Sequence, residues 1–271
     1  MELKENYTIT EISRSLQINR SSLYYKSKPS KDESVLRDAI KDAFEDSYQT
    51  YGTRRIRVEI KKLGLNVSRR KISAIMSDSK LVSVYTKPKY KPIPCEVNED
   101  KISNIVARKF DGHSPWSVVV TDLTYVLIGG KWHYLCPLLD LCGRRLLGYS
   151  VGKNKTAELI QKAFHSVKGD LRKMGILHTD RGSEFRNKLI DELLLGFSIE
   201  RSLSGKGNPF DNAVIEAFNK TVKTECINRY PFKNIQDFTE KMDAYMKWYN
   251  SVRLHSSLDY ITPDEWVQNV S

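Results

Sequence analysis

Three carboxylates far apart in the sequence stand where carboxylates can be brought together. Asp122 lies in SVVVTDLTYV, a β-branched run that reads as a buried strand. Asp180 closes a short apolar run, Ile176-Leu177, and the turn Arg181-Gly182 exposes its carboxylate. Glu216 belongs to a segment that reads as a helix, with Pro209 just before it and Asp211 as its N-cap. Val214, Ile215, Phe218 and Val222 form its apolar face. Carboxylates from two strand ends and a helix can hold a pair of divalent ions. Mg²⁺ is hard, wants octahedral oxygen, and takes only one or two protein carboxylates, which leaves places for water and phosphate. Two such ions roughly 4 Å apart would activate an attacking oxygen and stabilise a leaving one at phosphorus.

Thirty-five residues separate Asp180 from Glu216. With that spacing Asp122, Asp180 and Glu216 resemble the D-D-35-E triad of the retroviral integrase superfamily. Lys223, seven residues past Glu216, matches the basic residue those enzymes carry on the same helix. The words TDLTYV, HTDRGSEF, GKGNPFDNAVIEAFNKTVKTE and WYNSVRLHSSLDYITP resemble the second-reading-frame catalytic protein of insertion-sequence-3-type bacterial transposases. The resemblance covers nearly the whole chain. It implies metal-dependent cleavage at an element's ends, which frees a 3′-hydroxyl, and attack of that hydroxyl on a second phosphodiester. It implies two Mg²⁺ ions, for which Mn²⁺ can substitute, with Asp122 bridging both, Asp180 completing one site and Glu216 the other. Lys223 would position the terminal phosphate. The implied partners are double-stranded DNA (terminal inverted repeats and target), further copies of the chain on DNA, and the upstream-frame protein, fused or in trans. Such phosphoryl transfer rests on positioning and charge neutralisation, so no covalent protein intermediate is required.

Composition sets the bounds. The 271 residues suffice for one sizeable core and one or two small modules. No apolar run reaches the roughly 18 residues of a membrane span, and MELKENYTIT lacks the apolar centre of a signal peptide. The expectation is a bacterial cytoplasmic protein, on the nucleoid when bound to DNA. Cys95, Cys136, Cys142 and Cys226 form no CxxC pair, which argues for reduced thiols and no structural zinc. The net charge of +11 is uneven: residues 1–110 hold 23 Lys and Arg against 14 Asp and Glu, the remainder 21 against 19. A basic front and a near-neutral back suggest DNA binding ahead of catalysis.

The elements follow in order. Residues 1–28 read as a partial helix-turn-helix: Thr10 caps a first helix with Ile12 and Leu16 inside, and Arg20 begins a second that can meet DNA. Residues 31–85 read as a three-helix DNA-binding domain. Val35, Leu36, Ala39, Ile40, Ala43 and Phe44 stripe the first helix. Thr53 caps the second, which carries Ile56, Ile60 and Leu63 and ends at Gly64. Ser68 caps the third, whose first turn, Arg69-Arg70-Lys71, is placed to hold phosphates, over Ile72, Ile75 and Met76. Residues 86–110 read as an extended linker. Residues 111–230 form the core, with strands at 117–127, 131–141 and 144–151, a helix near 155–168, the strand before Asp180, a helix over 184–195 and a strand near Ile199. Residues 231–271 are a C-terminal helical extension. The class is α/β: a mixed five-stranded sheet with flanking helices behind small all-α modules, the order of the ribonuclease H-like fold that the resemblance implies.

Several other residues compete for the site. Asp140 reads as structural, paired with Arg144 or Arg145; His178 as a packing histidine; and Glu184 as one turn into its helix. The run 202–208 reads as a loop whose Lys206 can grip a phosphate. Trp248, Tyr249 and Asn250 read as packing residues. A ribonuclease H-like nuclease would share the carboxylates without the 35-residue spacing or the helical modules. A DNA-binding regulator derived from a transposase would have lost a carboxylate, and all three are present.

Overall fold

The computed structural model describes residues 8–20, 33–86, 103–205 and 209–270. The chain forms two compact units, Met1–Ala39 and Ile40–Ser271. In the first, α1 (Ile9–Ser15) is capped by Thr8, not Thr10. Thr8 and Glu11 complete a capping box, Thr8 accepting the Glu11 N–H and the Glu11 carboxylate accepting the Thr8 N–H at 2.8 Å. That reciprocal pair satisfies two helix-end donors, which a start at Thr10 would leave open. Ile12 is buried, whereas Leu16, the C-cap, is exposed. Arg20 is exposed.

Three helices follow: α2 (Ser34–Asp46), α3 (Thr53–Lys62) and α4 (Arg69–Asp78). Ile40 and Phe44 of α2, Ile56 and Ile60 of α3, and Ile72, Ile75 and Met76 of α4 are buried; Val35 and Leu63 are exposed. The N-cap of α3 is Gly52 rather than Thr53, and its side offers no capping group. Ser68 caps α4 through the Lys71 N–H. Gly64 turns the chain after α3 with a left-handed φ of 79°.

The sheet has six strands: β1 (Val118–Thr121), β2 (Thr124–Ile128), β3 (Lys131–Asp140), β4 (Leu146–Gly152), β5 (Ile176–Thr179) and β6 (Glu200–Leu203). Their order is β2-β3-β1-β5-β6, with β4 on the other side of β3. The expected single strand over 117–127 is two, and the break is informative. Thr121 opposes Leu138 and Thr124 opposes Leu135, so one pairing frame runs through both and sets Asp122 opposite Pro137. Proline has no N–H for the ladder, and pairing lapses there. The six strands therefore occupy five lanes, antiparallel where β1 and β4 meet β3 and parallel for β1-β5-β6. This is the ribonuclease H-like order.

Helices α5 (Ala157–Ser166) and α6 (Lys188–Gly196) cover one face, where Val119, Leu138, Ile160, Phe164, Leu177 and Phe185 share a core. Val118 and Val120 point the other way and are equally buried, beneath α7 (Ala213–Glu225) and α8 (Ile235–Ser251). A short α9 (Pro263–Val270) follows α8. Residues 103–108 of the expected linker lie on the core: Asn104 and Arg108 bond Asp211, at 2.8 and 2.7 Å.

Candidate active site

Parallel pairing of β1 with β5 matches Val118 to Ile176 and Val120 to His178. Carried two residues further, that register sets Asp122 beside Asp180 at the carboxyl edge of the sheet. Burial, then the neighbouring charge of Asp180, push the Asp122 carboxyl up to about 7; Glu216 and Glu184 push in the same direction. The Asn219 side chain donates to Asp122 Oδ2 at 3.0 Å. Asp180 Oδ1 accepts the Gly182 N–H at 2.9 Å, which closes the turn expected after that residue. Glu216 stands in the first turn of α7, exposed, with burial raising its pKa. Lys223, half-buried two turns on, is pulled down by burial and up by Asp122. It has no ion pair among the described residues. The acid two residues further on, Glu225, is buried and bonded to Arg253, Tyr85 and Tyr245.

Two members were not evident in the sequence. Asn219 follows Glu216 by three residues and precedes Lys223 by four, so helical spacing alone places it on the same face. Glu184 was expected inside a helix, but α6 starts only at Lys188, where Asn187 accepts the Leu189 N–H and acts as the cap. The residues before it turn tightly and bury Glu184. Lys155 Nζ reaches its Oε1 at 2.8 Å, and its Oε2 has no hydrogen-bond partner among the described residues. A Cβ on Gly182 would come within 2.5 Å of that carboxylate.

Asp211 is not the helix cap: Asn212 holds that position. Asp211 accepts instead from Asn104, Arg108 and the Gly205 N–H, and although burial pushes its pKa up, Arg108 and Gly205 hold it low. Asp140 pairs with neither arginine; it accepts the Trp116 and Cys142 N–H groups, while Arg144 meets Asp111 and Arg145 meets Asp264. His178 is fully buried between Ser202 Oγ at 2.8 Å and the Asp211 carbonyl at 3.1 Å. Asn250 clasps both backbone groups of Leu146. Arg69, Arg70 and Lys71 form an exposed first turn of α4, and Lys206 lies outside the described residues.

Hard oxygen donors placed where burial, and then mutual repulsion, push the Asp122 carboxyl up to about 7 suit a divalent cation, which would relieve that repulsion. Among the described residues no three such side chains are gathered into a closed cluster.

Residues 112–209 and 198–263 each match an integrase core domain, together more than half of the chain, and residues 30–89 match an HTH-like domain. The chain is 29% identical over 273 residues to the putative transposase InsK for insertion sequence element IS150 of Escherichia coli (strain K12), spanning 98% of this chain and 95% of that one. It is 28% identical over 243 residues to the transposase for insertion sequence element IS904 of Lactococcus lactis subsp. lactis (strain IL1403), spanning 89% and 96%. A chain of the simian T-cell lymphotropic virus intasome in complex with PP2A regulatory subunit B56 gamma shares the fold, with a TM-score of 0.50 and 12% identity over 84% of this chain and 73% of that one.

Proposed function

We propose that this chain, a relative of the insertion-sequence transposases with an integrase core and an HTH-like domain, uses Asp122, Asp180 and Glu216 to cut and join DNA at the ends of its element. It is a DNA transposase, a polynucleotidyl transferase. The observation that supports the residue assignment is the register of β1 with β5, which puts Asp122 and Asp180 side by side, facing Glu216, Asn219 and Lys223 on α7.

Asp122, Asp180 and Glu216 would together hold two Mg²⁺ ions. Bound there, the ions would supply charge neutralisation at phosphorus and activation of the attacking oxygen. Asn219 holds the Asp122 carboxylate in one orientation, leaving its other oxygen for the site. Lys223 is a compact positive charge on a flexible stem, suited to the terminal phosphate. The Arg69-Arg70-Lys71 turn, Arg20 and Lys206 would grip flanking phosphates. On this reading several copies act together on DNA, assisted by or fused to the upstream-frame protein. Among the described residues no helix is long and apolar enough to cross a membrane.

The test is cleavage and joining of labelled element-end DNA in Mg²⁺, by the protein alone and fused to the upstream frame. Asp122→Asn, Asp180→Asn and Glu216→Gln should each abolish both steps and leave DNA binding intact. Lys223→Ala should keep its melting temperature but lose at least about tenfold in joining, or roughly 1.4 kcal/mol of transition-state stabilisation. A triad variant with a tenth of wild-type joining would remove its residue from the site.

A further inference from the structure

A cavity of about 390 Å³ lies at the start of α3, away from the carboxylates. Thr53, Arg54, Arg55, Arg69, Ser256 and Tyr260 are among the residues that line it. No Asp or Glu lines it. Among the described residues none of the three arginines has a carboxylate within ion-pair distance. Arg54 and Arg69 are exposed, and Arg55 is half-buried over the Tyr51 ring, 5.4 Å from its centroid. Burial, and repulsion from Arg253, pull the Arg55 pKa down. Glu225 offsets part of that charge from a distance, but it is no direct partner, since Arg253 engages both of its oxygens at 3.0 Å or less. The first turn of α3 adds to the positive field, because Gly52 supplies no side-chain cap to its N–H groups. Three guanidinium groups around one acid-free space repel one another unless an anion sits between them.

We infer that this cavity binds a phosphate of the DNA backbone, a contact that rests on the reading of the chain as a DNA-joining enzyme. Guanidinium forks match phosphate oxygens two at a time, and the Thr53 and Ser256 hydroxyls supply further donors. The lining includes no Asn, Gln, Asp or Glu to read adenine or cytosine edges. Arginine can also take guanine bidentately, but three guanidinium groups around one concave space with hydroxyl donors suit a tetrahedral anion more than the flat edge of a base. Arg70 and Lys71 extend the same positive surface from Arg69 along the first turn of α4, as a passing strand requires and a free nucleotide does not.

Binding is read without chemistry, in the Asp122→Asn protein with EDTA, on a synthetic duplex carrying the element-end sequence. Arg54→Gln with Arg69→Gln changes two exposed side chains and should spare the fold; Arg55→Gln is the second variant. The double variant should bind at least about tenfold more weakly. Its slope of log K against log salt should flatten by about one unit, as for a single neutralised phosphate. In a scan of duplexes with one methylphosphonate linkage each, one linkage should weaken the parent protein and be indifferent to the double variant. An unchanged slope and scan would make these arginines a solvated face and overturn the inference. So would stabilisation of the parent, but not the variant, by inorganic phosphate or pyrophosphate with no responsive linkage, which marks a free-anion site. Wild-type protein that binds the duplex through this cavity but never cuts it would sink the functional reading and leave the cavity's role standing.

Discussion

Asp122 combines burial with a like charge beside it, and that combination has a measurable consequence. Its carboxyl sits at about 7 in the fold against an ordinary value of 3.8. The folded state thus holds the proton more tightly than the unfolded state, so protonation favours folding. The metal-free protein is expected to be most stable below about pH 4 on this account, to lose stability as pH rises from there to about 7, and to level off above. The loss is no more than about 4 kcal/mol for a shift of this size. Asp122→Asn should flatten the difference between melting temperatures at pH 5 and pH 8, and Mg²⁺ should recover part of the loss in the parent at pH 8. A variant with the parent's pH profile would show that Asp122 is not the strained group. At this scale the three acids and Lys223 could be named as candidates because their residue types and spacing survive in one dimension. Asn219 was not, because nothing in an amide three residues past Glu216 says that it faces an aspartate on another element. Asp140 was legible as a structural residue but not in its partners, since backbone N–H groups leave no trace in sequence.

Among the elements, periodicity found the strands over 131–141 and 144–151, and the buried faces of α3, α4, α5 and α7. It missed what depends on a partner strand. The break at Asp122-Leu123 follows from Pro137 lying opposite, which only the register reveals. The late start of α6 at Lys188 has a local cause, the Asn187 cap, and it moves Glu184 from a helix flank into a buried turn. There Lys155 is its ion-pair partner, and another carboxylate, Asp122, feels its charge. Removing the lysine alone would strand a buried charge beside like charges, whereas removing both charges would not. Lys155→Met should therefore cost about 1–3 kcal/mol in urea unfolding, less than a fully buried pair because Lys155 is partly exposed. Lys155→Met with Glu184→Gln should regain most of it. If the double variant is as unstable as the single, the pair contributes through packing and not through charge.

At the scale of the molecule, the sequence suggested beads on a linker, yet α3, α4 and the core share the compact unit Ile40–Ser271. The tie is polar and buried. Glu225, at the end of α7, accepts three hydrogen bonds from Arg253 and one from the phenol of Tyr245 at 2.9 Å, all within the core. Tyr85, which follows α4, donates to the same carboxylate, and the Tyr51 hydroxyl, just ahead of α3, accepts the Leu254 N–H at 2.8 Å. Each participant looks ordinary in sequence, and their separations, 140 residues for Tyr85 to Glu225 and 203 for Tyr51 to Leu254, hide the contact. Such a mount fixes the arginines around the α3 cavity relative to the carboxylates at the sheet edge, and joining chemistry is steeply sensitive to that kind of placement. Arg253→Met leaves Glu225 buried with phenols alone and should cost about 3–5 kcal/mol of stability. Below the melting transition, the amides of α3 and α4 should exchange faster, while those of β1 and β5 stay protected. With the fold still populated, joining should fall more than duplex binding, because each proposed DNA contact survives while their spacing does not. Equal losses in joining and binding, with uniform exchange across the unit, would show that Arg253 stabilises the core alone and that the helices are held to it by other contacts.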